Sequence, residues 1–382
     1  MSTASGIASA GTSAALANVD ATLFTTAAFS YMQGSGFRPH FAPLDFPLFS
    51  TFHGGFHPHV MSPPFLLLLG ALLFAYYRTP AVRQRRRWGL LGTTVPVIGF
   101  VLLTNSWSFP TACGVVLLAV TLAPARPRTL LPGGVSGTER EPAGQRRPML
   151  STDGGTSVAA VRRASADLGS GFAVAVTLGL GGMAVVTPYY GRLSGGLEPG
   201  FFPDRSGLAV LLLVHGAFLL VLCWFLWPHV RDLLADRTAG QGDGGSGTRL
   251  AFALAISVGA NLLFLGVALD AASVTIYGTL VAVGWLLVWR RTVGFEGVLL
   301  VAGAGLVVLV DVAYLDDPAS IGRYNTVFKA YAQVWILWSV AAGVALARIL
   351  TRGPTDWSRW RSSVPLPHAR LVAATLLVLS LS

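Results

Sequence analysis

"RYNTVFKAYAQVWILWSVAAGVALARI", residues 323–349, decides the fold. It opens on polar and charged side chains and runs into an apolar stretch, 327–349, long enough for a helix to cross a bilayer. It also holds Lys329, the only lysine among 27 Lys and Arg; every other basic side chain is arginine. A membrane span with a single ammonium at its mouth sets two questions: how many such spans there are, and what the lysine meets.

The bulk numbers answer the first in outline. The chain has 382 residues, 53% hydrophobic and only 12% charged. A soluble domain carries about twice that charged fraction. Apolar runs predict nine spans, at 62–77, 89–104, 107–123, 168–188, 207–227, 250–269, 271–289, 295–315 and 327–349, and a final run, 371–382, reads as the start of a tenth. The fold class expected is therefore all-α, a polytopic transmembrane bundle of about nine to ten spans in the cell membrane. Residues 1–61 read as an external N-terminal segment, 62–350 as the helical domain and 351–382 as a cytoplasmic segment with a truncated last span. Residues 12–30 are mildly apolar but carry Asn18 and Asp20, so no span is expected there. No charged n-region with a cleavage site opens the chain, so no signal peptide is expected. Cys113 and Cys223 sit in apolar runs and read as buried thiols rather than a disulfide.

A net charge of +10 does not point to nucleic acid here, because the arginines gather in short loops. Arg78, Arg83, Arg85, Arg86 and Arg87 fall in one loop. Arg126, Arg128, Arg140, Arg146, Arg147, Arg162 and Arg163 fall in the linker 124–167, which is flexible by its Gly, Ser and Pro content. Segments 228–249 and 348–361 are also basic, and alternation puts all four on one side, the cytoplasmic one by the positive-inside bias. Four motif-like segments then fall on the opposite, external side: "DFPLFSTFHGGFHPHV" (45–60), "TNSWSFP" (104–110), "TPYYGRL" (187–193) and "DVAYLDDPASIGRYNTVFK" (311–329). A site assembled between helix ends explains that grouping.

His40, His53, His57 and His59 are four of the seven histidines. His57 and His59 flank Pro58, so both imidazoles can face one side of an extended backbone. With Asp45 they suit a divalent metal or acid–base work; the alternative is loop histidines bonded to backbone. Asn105 is a polar amide at a membrane edge beside Trp107, and Tyr189, Tyr190 and Trp107 suit an interfacial belt. Asp311 lies inside an apolar span, about one turn from Tyr314. A carboxylate there is costly unless paired or wetted, and marks a candidate site. Arg323, Asn325 and Lys329 follow the acidic loop of Asp316 and Asp317. A cation at a helix start opposes the dipole and calls for an anion, and the free N–H groups there suit phosphate oxygens. The alternatives for Lys329 are snorkelling or an ion pair with Asp311, Asp316 or Asp317.

These segments, "HPHVMSPPF", "LLTNSWSFPT" and above all "RYNTVFKAYAQVW", resemble the YYY-domain membrane proteins (domain of unknown function 2298) over roughly 45–350. That family is distantly similar to the C-type glycosyltransferases. The resemblance implies a lipid-linked sugar phosphate as partner, external-loop carboxylates as catalysts, and spans ahead of the present first residue. It casts Asp45 or Asp311 as the base, His57 and His59 as orienting or metal-binding groups, and Arg323 and Lys329 as the phosphate clamp. The alternative function is a non-catalytic binder or transporter of anionic lipid, or a membrane complex subunit. Three positions depart from the family pattern: Gly55 and Ser108 stand where it has aspartate, and Asp311 where it has glutamate.

Overall fold

The structure is a computed structural model that describes residues 61–130, 157–190, 198–201, 206–238, 271–316 and 323–351. Within these lie eight α-helices: α1 Pro63–Arg78, α2 Gln84–Thr104, α3 Ser108–Thr121, α4 Ser157–Tyr190, α5 Leu208–Thr238, α6 Ala272–Trp289, α7 Phe295–Val312 and α8 Tyr324–Thr351. A 3₁₀ turn, Pro127–Leu130, and one antiparallel ribbon, β1 Glu198–Phe201 with β2 Ala313–Asp316, complete the described elements.

Five of these helices are long and apolar enough to cross a membrane: α2, α4, α5, α7 and α8. The other three, α1, α3 and α6, are shorter apolar helices. At 1.5 Å per residue α1 spans about 24 Å, short of the roughly 30 Å hydrocarbon core. Each expected span except 250–269 coincides with a helix; 250–269 and 371–382 lie outside the described residues.

Three boundaries differ from the sequence reading. The expected span 295–315 stops at Val312, because Ala313 turns extended and pairs with Phe201. The linker 124–167 is not loop throughout: α4 begins at Ser157, in an alanine-rich stretch of good helix propensity, and Asp167 within it binds Arg128 at 2.9 Å. Arg87, grouped above with loop arginines, lies inside α2 and is fully buried. It donates to the Tyr76 hydroxyl (2.5 Å), Thr129 Oγ1 (2.9 Å) and the Ala125 carbonyl (3.1 Å), which ties the 3₁₀ segment to α1 and α2.

α7 packs between α6 and α8 and is buried along most of its length. Gly303 sets the α7–α8 distance. A Cβ there would stand 2.2 Å from Trp338 Nε1, so only glycine lets the buried indole reach the Leu300 carbonyl at 3.1 Å. Large apolar side chains on the outer faces, such as Phe172, Leu180 and Leu213, are exposed, as lipid-facing positions are.

The helix ends sort into two layers. One collects the starts of α1, α3 and α8 with the β ribbon: Ser62 Oγ lies 3.3 Å from Ser108 Oγ, and Thr326 Oγ1 bonds both backbone groups of Leu315 (3.0 and 3.1 Å). The other layer is bound by arginine. Besides Arg87, Arg348 pairs with Glu296, and Arg291 donates to the carbonyls of Leu122 and Ala123. Arg291 closes α6 in a left-handed conformation (φ 63°), with Thr292 N bonded to Leu287 O and Arg291 N to Val288 O. Glycine usually holds that position. Here the arginine stays because its guanidinium satisfies the two carbonyls just past the end of α3. Arg291→Ala keeps the backbone strain and loses those bonds, whereas Arg291→Gly loses the bonds but relieves the strain. Unfolding in lipid nanodiscs should rank wild type above Gly and Gly above Ala, with the last two about 1 kcal/mol apart.

Candidate functional site

Asp311 occupies the last turn of α7, and its side chain is fully buried. A lone carboxylate in such a place carries a desolvation cost of several kcal/mol. Arg323 meets it. Val327 N bonds to Arg323 O, so Arg323 is the residue from which α8 starts, and its charge opposes the helix dipole. Both problems have one solution: Arg323 Nη1 lies 2.5 Å from Asp311 Oδ1 and 3.2 Å from the Val310 carbonyl.

Ser206, two residues ahead of α5, closes a triangle. It accepts from Arg323 Nη2 (3.1 Å) and donates to Asp311 Oδ1 (3.2 Å). A hydroxyl has one hydrogen to give. Since that hydrogen goes to Asp311, the 3.0 Å contact between Ser206 Oγ and the Tyr331 hydroxyl must be donated by the tyrosine. The hydroxyls therefore run Tyr331 to Ser206 to Asp311. Asp311 Oδ2 has no partner among the described residues.

Two turns deeper, His215 of α5 is fully buried. Its Nδ1 lies 3.0 Å from the Tyr277 hydroxyl, which donates to the Leu211 carbonyl at 3.3 Å. The donor in the contact between Nδ1 and the Tyr277 hydroxyl is set by the imidazole tautomer. Nε2 has no hydrogen-bond partner among the described residues. The ring stands edge-to-face on Tyr331 (centroids 4.7 Å), Tyr277 (5.6 Å) and Trp338 (5.6 Å).

Lys329 lies on another side of α8. Six residues after Arg323, it sits about 120° around the helix and about 9 Å along it. Its ammonium rests 4.8 Å from the centroid of the Trp107 ring, a cation–π contact. Gln333, one turn on, directs Nε2 at the Trp107 carbonyl at 3.4 Å. Asn105 is buried and donates to Ser108 Oγ at 2.8 Å, which fixes the α2–α3 turn that presents Trp107.

The expected site residues thus separate. Asp311 and Arg323 come together as an ion pair, and Arg323 and Lys329 do not converge on one point. Lys329 and Asn105 share the Trp107 side. Tyr314 faces Gly200 across the ribbon; its ring lies so close that a Cβ on Gly200 would come within 2.4 Å. Tyr189 is exposed near the end of α4, apart from the cluster. Asn325 lies in the first turn of α8. Asp45, His57 and His59, and with them the possible metal ligands, lie outside the described residues. Among the described residues no group of three His, Cys, Asp or Glu is placed to hold a metal.

The sequence reading assigned no role to Ser206, His215, Tyr277, Tyr331 or Gln333. His215 had a signal, an ionisable side chain within "LLLVHGAFLLV" (211–221). Tyr331 and Gln333 stand in the quoted motif at helical spacing from Val327 and Lys329. Nothing local marks Ser206.

Five helices long and apolar enough to cross a bilayer define a multi-pass membrane protein. The chain belongs to the uncharacterized membrane protein family DUF2298, which matches residues 42–338. No curated protein and no solved structure matches it.

Removing one partner of a buried ion pair costs about 3–5 kcal/mol, far more than removing both. Asp311→Leu and Arg323→Met should each destabilise the protein by that order, and the double substitution by much less than their sum. Chemical unfolding of the four proteins in one detergent gives the coupling energy.

Proposed function

We propose that the chain transfers sugar from a polyprenyl-phosphate carrier at the external end of the bundle. One observation carries the reading: a fully buried carboxylate, Asp311, keeps one oxygen unpartnered among the described residues while an arginine and a serine hold the other. Such a group can accept a proton from an acceptor hydroxyl without changing its own position. The resemblance to C-type glycosyltransferases supports the same role, and the lipid carrier would approach laterally from the bilayer.

The roles expected from sequence are redistributed. Arg323 positions Asp311, so the phosphate contact passes to Lys329. Trp107 and Gln333 flank the ammonium on that side. A compact ammonium suits a phosphate oxygen and the charge that develops on it as the carrier leaves.

A second reading has a specific observation in its favour. The tight Arg323–Asp311 pair neutralises the carboxylate, as a scaffold would, which favours a binder of anionic lipid without chemistry. Full-length protein in nanodiscs with labelled polyprenyl-phosphate sugar separates the two. Transfer predicts release of polyprenyl phosphate, lowered about 10²–10⁴-fold by Asp311→Asn, and weaker carrier binding in Lys329→Ala. Binding without release assigns the chain to the second reading, and neither binding nor release refutes both.

A further inference from the structure

The arginine-bound layer carries more positive charge than its own contacts use. The segment joining α1 to α2, residues 78–88, holds Arg78, Arg83, Arg85, Arg86 and Arg87 and no carboxylate. Arg87 turns inward. The other four are exposed, and no ion pair among the described residues takes any of them. Arg83, Arg85 and Arg86 stand at the start of α2, where a cation opposes the helix dipole and the first turn has no acidic residue. Marking the cytoplasmic side of a membrane asks for positive charge in the loop, but not at the helix end where it costs stability.

The fold adds a fifth cation from far along the chain. Arg87 donates to Thr129 Oγ1 and to the Ala125 carbonyl, and Gln84 Nε2 donates to the Thr129 carbonyl at 2.7 Å. These bonds hold the 125–129 segment against the start of α2, so the exposed Arg126 joins the same patch. Asp167, which this segment also meets, is buried and paired with Arg128, and so does not neutralise the patch.

Depth completes the surface. The 16 residues of α1 reach about 24 Å, so the helix leading into this loop is too short to lift it clear of the lipid headgroups. Val82, 90% exposed in the loop, and Trp88, 45% exposed just after it, add apolar and interfacial side chains at that level.

We propose that Arg78, Arg83, Arg85, Arg86 and Arg126 form a binding surface for anionic phospholipid headgroups of the cytoplasmic leaflet, with Trp88 beside the bound lipid. The headgroup phosphate accepts from the forked guanidinium groups and from the first N–H groups of α2, which no helical carbonyl reaches. A zwitterionic lipid brings its own cation into the patch and is disfavoured, so the surface selects net negative charge. It lies at the opposite end of the bundle from Asp311 and Lys329, and the proposal is independent of sugar transfer.

The experiment uses the full chain in phosphatidylcholine nanodiscs containing a minority of bromine-labelled lipid. Bromine quenches tryptophan on contact, and the difference between wild type and Trp88→Phe isolates the Trp88 signal. Each arginine near an anionic surface is worth about fivefold in affinity. Labelled phosphatidylglycerol should therefore be preferred at Trp88 over labelled phosphatidylcholine by more than about tenfold, with about fivefold of that lost in Arg86→Gln. Substituting Arg78, Arg83, Arg85 and Arg86 together by Gln should abolish the preference. Arg231→Gln should leave it unchanged, because Asp232 already faces that exposed arginine at 3.2 Å. Raising salt from about 0.1 to about 1 M shortens the screening length from about 10 to about 3 Å and should weaken the preference in wild type, with no substitution needed. Circular dichroism confirms that each variant is folded. Equal quenching by the two lipids in wild type, a preference that survives the four substitutions, or one lost as readily in Arg231→Gln would overturn the proposal.

Discussion

A carboxylate inside a bundle of membrane helices has to be neutralised, and Arg323 neutralises Asp311 across 2.5 Å. Much of the motif end follows from that contact. It fixes the start of α8 against the end of α7, where a positive charge would otherwise oppose the helix dipole. It recruits Ser206 from the entry to α5 and, through it, Tyr331. The pair is therefore also a clasp among α5, α7 and α8. Buried pairs are a weak source of net stability compared with apolar packing. Retaining one where Leu or Val would serve for packing points to a use for the charge.

The opposite layer shows what charge does when only architecture is required. Arg87, Arg291 and Arg348 are anchored by hydroxyls, helix-end carbonyls and Glu296. Their planar, multi-donor heads bridge several acceptors at once, which an ammonium does poorly. Lys329 makes the complementary case. Its compact charge rests on the Trp107 ring rather than forking between carbonyls.

Hydropathy made the helices legible, since each run near bilayer length coincides with a helix where the chain is described. Asp311 was legible as well, because an acid in an apolar run has to be paired or wetted. Its partner stood 12 residues on, in the quoted motif, yet the sequence reading paired Asp311 only with Lys329 as an alternative. The serine that completes the triangle lies 105 residues from Asp311, in an unremarkable context. The β ribbon was illegible for a related reason: four-residue strands carry too little alternation to be read, and their register depends on a tyrosine ring finding a glycine. Arginines near the membrane surface were read as side markers, a statistical property. Which of them enter the protein is decided by acceptors far along the chain, 42 residues away for Arg87.

The central claim is that Asp311 is an ionised carboxylate held by Arg323 within the bundle. Infrared difference spectroscopy between wild type and Asp311→Asn in nanodiscs at neutral pH tests it most directly. The account predicts that the substitution removes the paired stretching bands of a carboxylate. Loss of a protonated carboxylic acid band instead would mean that Asp311 is neutral, and the clasp and everything attached to it would fall.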